Sequence, residues 1–216
     1  LIIYIPGYDD AIRLLIKSSR FRLRRVTGSM YEEGSLFRAA EKQELWRSAG
    51  GKMSVTFRKG KAGDWKIVYD LICDMEGTEL PAEAFRGIYE EKMHDPRFYC
   101  LLAEENGEVL GVLNLRFEKQ LHHAAAVAEI MEFSVSPACR GHGVGGAIFR
   151  EACRLAREAG CVQIEVACNQ LRERTHRFYL GHGGMHNFHY KFSKPLTGED
   201  SPVNRLDGRI QRNTQM

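Results

Sequence analysis

The chain has 216 residues, 44% of them hydrophobic and 27% charged, with a formal net charge of +3. This suits one globular domain plus an appendage, and so weak a charge excess points to no particular polyanionic partner. No apolar run is long enough to cross a bilayer, and Leu1–Ile5 is too short and lacks the basic lead of a signal peptide. A cytoplasmic protein is expected. The six cysteines form no Cys-x-x-Cys pair, and several sit in apolar runs as reduced thiols do.

Residues 1–52 hold ten Lys/Arg against six Asp/Glu, whereas the remainder is nearly balanced. The composition therefore changes near Met53, and residues 1–52 are expected to be an N-terminal extension. Its basic run Arg20–Arg25 makes nucleic acid the lesser alternative to a solvated or dimer-covering segment. Because Ser48–Lys52 can be encoded by a purine-rich stretch resembling a ribosome-binding site, another reading is that residues 1–52 are read-through or a fragment. Met53 would then be the start.

From Met53 the elements follow in order. Ser54–Arg58 alternates as a strand. Asp64 is placed to cap a helix through Ile67, Val68, Leu71, Ile72 and Met75, which Gly77 ends. Pro81 opens a second helix, with Phe85, Ile88, Tyr89 and Met93 on one face, and Asp95-Pro96 stops it. Tyr99–Ala103 is a strand, Asn106-Gly107 a hairpin turn, and Val109–Phe117 the returning strand. Leu121-His122-His123 connects to the strand Ala128–Val135. After the glycine-rich stretch comes a helix as far as Gly160, then a strand over Val162–Cys168 and a helix over Arg172–Leu180. His186–Phe192 alternates as a last strand. The predicted order is β-α-α-β-β-β-α-β-α-β, over residues 53–196, with a tail at 197–216.

The segment around which the rest is arranged follows Val135. Pro137 ends the strand, and Arg140-Gly141-His142-Gly143-Val144-Gly145-Gly146 then leads into the helix with no acidic residue. Glycines let backbone N–H groups approach a ligand, and a helix N-terminus adds partial positive charge, so this unit suits a phosphate or pyrophosphate. Gly141, Gly143 and Gly146 also fit the dinucleotide fingerprint. That motif, however, belongs early in a series of βαβ repeats with an acidic residue about 20 positions on, and here Glu165 lies mid-strand. No Gly-Lys-Ser/Thr follows, which excludes a P-loop.

The remaining pattern, Arg140-x-x-Gly143-x-Gly145, resembles the pyrophosphate loop of the GNAT superfamily of acetyl-CoA-dependent N-acyltransferases. The whole order of elements over 53–196 resembles that fold: a mixed α/β domain with a mostly antiparallel, twisted central sheet flanked by helices. Phe178-Tyr179 matches its aromatic pair, although Gly184-Met185 replaces the usual Gly-aromatic. Ala84-Phe85-Arg86, Leu121-His122-His123, Glu129-Ile130-x-Glu132, His176–Leu180 and Phe192–Leu196 resemble the bacterial aminoalkylphosphonate N-acetyltransferases. Those enzymes use acetyl-CoA, acetylate small primary amines bearing a phosphonate, and are assisted by a divalent metal. Homodimers are frequent in the family, but no stretch of this sequence marks an interface.

Acyl transfer from a thioester to an amine needs a base for the ammonium, donors for the carbonyl oxygen and an acid for the departing thiolate. The resemblance implies Glu129 as general base, with Glu132 as the second candidate. Residues three apart on a regular strand face opposite sides, unless a bulge intervenes. It implies Tyr179 as the acid, with Phe178 in the core. It implies that Phe133, Ser134 and Val135 pair with the pantetheine arm like an added strand. Backbone N–H groups of Arg140, Gly141, His142, Gly143, Val144 and Gly145 would take the pyrophosphate. Asn169 matches a pantetheine-holding asparagine, with a capping role as the alternative. His122 and His123 are metal candidates, although neighbours on a strand would point apart. His123, His176 and Arg86 are candidates for the acceptor pocket. Arg172 and Arg174 are equally available to an anion, and spacing does not choose among them.

Two rival functions follow. One is an acetyltransferase of a protein N-terminus, a lysine or an aminoglycoside. The other is a non-catalytic acyl-CoA-binding regulator, against which the presence of both Glu129 and Tyr179 argues.

Overall fold

The computed structural model describes residues 54–182, 184–194 and 196. The extension over 1–52, its basic run and the tail over 197–216 lie outside the described residues. The described chain runs β1 (Thr56–Lys59), α1 (Trp65–Glu76), α2 (Ala82–Met93), β2 (Phe98–Glu105), β3 (Glu108–Gln120), β4 (Ala125–Val135), α3 (Val144–Glu158), β5 (Cys161–Val166) and α4 (Glu173–Gly181). The strands form one five-stranded sheet in sequential order. β1 to β4 are antiparallel neighbours, and β5 lies parallel to β4. Only that parallel pair needs a crossover, which α3 supplies.

Alternation along the strands divides the core between the two faces of the sheet. Phe98, Cys100, Leu102 and Val112 pack with Val68, Leu71, Ile72 and Tyr89 of α1 and α2. Leu101, Leu113 and Leu115 face the other way, toward α3 and its buried Ile148, Phe149 and Ala152. Burying such a side chain contributes about 1.5–3 kcal/mol, so this two-sided core is what holds the sheet in place. The closest approach is at Gly111 in β3. A Cβ there would stand 2.8 Å from both Ile148 Cδ1 and the Ser134 carbonyl oxygen.

Two local expectations are corrected. Asp64 stands at the N-cap of α1 but makes no capping bond there. Its carboxylate instead accepts from Arg58 at 2.6 and 2.8 Å and from the Lys61 N–H at 2.7 Å. A guanidinium fork satisfies both carboxylate oxygens better than one helix N–H can. The expected last strand, His186–Phe192, is not a strand, and Phe188, Tyr190 and Phe192 are exposed. An alternating pattern becomes a strand only where a ladder of hydrogen bonds receives it, and no neighbouring strand pairs with this segment. β4 also begins earlier than expected, at Ala125, and His122 and His123 lie in the turn before it.

Gly111→Ala should destabilise the domain by about 1–3 kcal/mol through overpacking, read as a lower thermal midpoint.

Candidate active site

β4 carries the site because its two neighbours part company along it. The ladder with β3 runs on to Val135, opposite Gly111. The parallel ladder with β5 stops at Ile130, opposite Val166, where β5 ends. From Met131 to Val135 the β5-side backbone of β4 therefore has no strand beside it among the described residues. An extended amide chain can pair there as an added strand, which is what the expectation for Phe133, Ser134 and Val135 requires. The Ser134 hydroxyl itself is turned the other way and donates to the Leu71 carbonyl at 2.8 Å.

The same strand bulges. Leu115 stands opposite Ile130 and Asn114 opposite Glu132, so Met131 is an extra residue. Arg116 and Asn114 are two apart on a regular strand and share a face. Their partners Glu129 and Glu132 are thereby brought to that face, the one covered by α1 and α2. The conditional reading of these two glutamates is resolved by this one inserted residue.

Their environments differ. Glu129 accepts from Arg116 Nη2 at 2.6 Å, and the Glu118 carboxylate lies 3.8 Å from Arg116 Nε. Glu132 accepts from the Asn114 amide at 2.9 Å. Burial pushes the Glu132 carboxyl above its ordinary value, with Glu76 adding to this. The Asn114 hydrogen bond and the charge of Lys92 oppose it. Arg116 also borders a cleft of about 260 Å³, where Lys92 and Arg97 are interleaved with Glu91, Asp95 and Glu118.

Beyond Val135 the chain turns through Pro137–Cys139, with Cys139 fully buried. Arg140 braces the loop. Its guanidinium donates to the Val135 carbonyl at 2.8 Å and pairs with Asp74 of α1. Its backbone N–H is bonded to the Pro137 carbonyl at 3.4 Å, so it is not available to a pyrophosphate as expected. Gly141 and Gly143 both have φ +83°, a conformation side chains rarely adopt, and a Cβ at either would meet nothing within 4 Å. Gly143 caps α3 without any side-chain capping bond, and no acidic residue lies in the first turn. A helix start left in this state is an anion seat. Gly145 continues it under Phe178, whose ring would lie 3.5 Å from a Cβ at that position.

α4 closes the other side. Phe178 packs edge-on against Phe133 at 5.7 Å and Phe149 at 6.1 Å. Tyr179 is 8% exposed, beside Phe149. Burial, reinforced by Cys168 and opposed by Arg172, pushes its phenol well above the ordinary range, so it keeps its proton. Asn169 does not cap α4, whose N-cap is Arg172; its Oδ1 accepts from the Leu171 N–H at 2.9 Å and so closes a turn before the helix. The His176 ring nitrogen lies 2.9 Å from the Asn169 carbonyl oxygen, a tie that fixes the start of α4.

The other candidates lie apart from these. Arg86 is on the exposed side of α2, bonded to Glu90 at 2.8 Å with its guanidinium over the Trp65 ring. Arg172 bonds Glu76 at 3.2 Å. His122 and His123 do not point apart, because they are in a turn and their rings lie 4.2 Å from each other. His123 Nε2 is 3.2 Å from Gln163 and 3.9 Å from Glu165. Among the described residues no three His, Cys, Asp or Glu side chains converge to hold a metal ion. The described residues do not fit a resident metal ion.

Sequence reasoning missed Asn114, Arg116 and His182. The first two look like ordinary members of an alternating strand, and only the pairing register brings them to the glutamates. The His182 ring packs on Phe178 at 4.2 Å, with Nε2 3.3 Å from where a Cβ on Gly146 would stand, over the first turn of α3.

A strand edge without a partner strand, beside a glycine-lined helix start, is an arrangement that suits an acyltransferase using a coenzyme A thioester. Comparison with known proteins makes this specific. The profile of the acetyltransferase (GNAT) family matches residues 65–183, and the chain belongs to that family. The curated aminoalkylphosphonate N-acetyltransferase of Salmonella typhimurium is 37% identical over 139 residues, covering 64% of this chain and 90% of that protein. The protein is an acetyl-CoA-dependent N-acetyltransferase. Solved structures share the fold. A transcriptional regulator from Bacillus halodurans has a TM-score of 0.61 at 23% identity, covering 66% of this chain and 99% of that one. A GNAT family acetyltransferase of Staphylococcus aureus has 0.55 at 16%, covering 67% and 100%. No helix among the described residues is long and apolar enough to cross a membrane.

Gly143→Val should cut acetyl-CoA affinity by at least about tenfold in calorimetry, since the side chain both strains a positive φ and enters the anion seat. Retained affinity would show that the coenzyme lies elsewhere.

Proposed function

We propose that the protein acetylates the primary amine of a small aminoalkylphosphonate. What carries the reading is the 37% identity that spans 90% of a curated enzyme named for that substrate class. The face bearing both glutamates supports it, because it combines carboxylates for an amine with Arg116 and Lys92 for an anionic end.

In this reading the backbone of Phe133, Ser134 and Val135 pairs with the pantetheine arm, and the Asn169 amide adds a donor. The N–H groups of Gly141, His142, Gly143, Val144 and Gly145 hold the pyrophosphate at the start of α3. Unpaired N–H groups of β4 supply donors for the thioester oxygen as charge builds on it. Glu132 takes the proton from the substrate ammonium, directly or through water, and so exposes the nitrogen lone pair. Glu132 suits this better than Glu129, which is neutralised by a guanidinium at 2.6 Å, while Glu132 has a neutral partner. Glu129 then serves to hold Arg116. Tyr179, which keeps its proton, donates to the departing thiolate.

Glu132→Gln should lower kcat by about 10²-fold or more while acetyl-CoA affinity stays near wild type. In the native enzyme the acid limb of kcat/KM should lie above the ordinary glutamate value of about 4.3. The stability effect has the opposite direction. A carboxyl whose folded pKa is raised favours the fold while protonated, and that contribution is lost as pH rises through the raised value. Glu132→Gln never ionises, so it should unfold at a higher temperature than wild type at pH 7 and not at pH 4.

Tyr179→Phe should lower turnover with coenzyme affinity unchanged; equal turnover would remove its role. In an amine screen with and without added divalent metal, aminoethylphosphonate should give a higher kcat/KM than peptide N-termini, lysine or aminoglycosides. Preference for any of those would replace the phosphonate reading.

A further inference from the structure

We infer that Asn114 of β3 is a positioning residue for the proton-accepting carboxylate, holding Glu132 in one orientation on the α1/α2 face of the sheet. This rests on Glu132 being the base. Asn114 is 5% exposed, in a strand position otherwise occupied by core residues: Val112, Leu113 and Leu115 around it are fully buried. An apolar side chain would suit that place better. A carboxylate only accepts hydrogen bonds, so the amide must turn its nitrogen to Glu132, and it does so at 2.9 Å. The carbonyl Oδ1 is then left buried without a hydrogen-bond partner. An orphan acceptor in a core works against stability, and such a group calls for an explanation. The explanation here is what the other end of the same amide does.

The pair exists only because of the bulge. With a regular ladder the residue opposite Asn114 would be Met131, and Glu132 would face α3. The extra residue at Met131 brings a long, flexible carboxylate onto this face, and the Asn114 amide then restrains it. Restraint by a neutral donor has a chemical consequence that restraint by arginine would lack. The carboxylate is aimed without being neutralised, so it remains a usable base. The groups that face it from the packed elements are Glu76 of α1, Lys92 of α2 and Cys100 of β2, with the Glu129–Arg116 pair on the same sheet face. Of these Lys92, like the Asn114 hydrogen bond, favours the ionised form, while burial and Glu76 favour the protonated one.

The test uses the full chain with acetyl-CoA and aminoethylphosphonate, and compares Asn114→Ala, Asn114→Ser and Glu132→Gln. Asn114→Ala should lower kcat/KM for the amine about tenfold at pH 7 and move the acid limb of its pH profile to higher pH, with partial recovery in alkali. Asn114→Ser, which keeps a short donor, should lie between alanine and wild type, and it carries the test if the alanine variant does not fold. Acetyl-CoA affinity should stay within about twofold throughout, because the cradle at Gly141–Gly145 is untouched. An acid limb that does not move, or a loss of coenzyme affinity parallel to the loss of rate, would overturn the positioning role. If Glu132→Gln is inactive while the Asn114 variants keep the native profile, Asn114 alone is misassigned. If Glu132→Gln keeps full turnover, the reading of Glu132 as base fails, and this inference with it.

Discussion

The structure depends on one unequal pairing. β4 is hydrogen-bonded to β3 along its length, but to β5 only as far as Ile130. A strand paired on both sides has no backbone groups left for a ligand, and a strand unpaired on a whole side is exposed to edge-to-edge association. Stopping one ladder partway gives a short open stretch between two paired regions. The crossover helix then leaves β4 at its open end, so its first turn points into the gap that the missing partner leaves. Chain direction alone brings the open strand edge and the glycine-lined helix start together.

Rigidity around that gap comes from side chains that do no chemistry. Arg140 ties the loop to the Val135 carbonyl and to Asp74, and His176 ties α4 to the Asn169 carbonyl. Phe178 bridges Phe133 of β4 and Phe149 of α3. Each spans two elements that would otherwise be free to splay further where the ladder has ended. The exposed ion pairs of the helices, such as Lys66–Asp70 and Arg154–Glu158, contribute little beside these.

Two carboxylates on one face stand in contrasting surroundings. One is matched with a guanidinium, the other with a neutral amide inside a partly dry environment. Burial pushes the carboxyl with the neutral partner above its ordinary value.

Local information in the residues accounts for most of the elements and for the glycine-lined loop that opens α3. The glycines at 141 and 143, the proline at 137 and the absence of acid before the helix act over a few residues, through allowed backbone angles and the helix dipole. They could therefore be read directly. So could the hydrophobic spacing of α1, α2 and α3 and the Asn106-Gly107 hairpin. Non-local matters could not. That Glu129 and Glu132 share a face depends on Met131 being an extra residue opposite β3, and neither Asn114 nor Arg116 carries any mark of this in its own neighbourhood. The alternation at His186–Phe192 promised a strand, but a strand is completed by a neighbour. The adjacent histidines were expected to diverge, and came together because the chain turns there. Spacing along a chain determines which faces residues can share within one element. Only pairing between elements decides which residues meet, because register and bulges depend on the partner strand as much as on the strand itself.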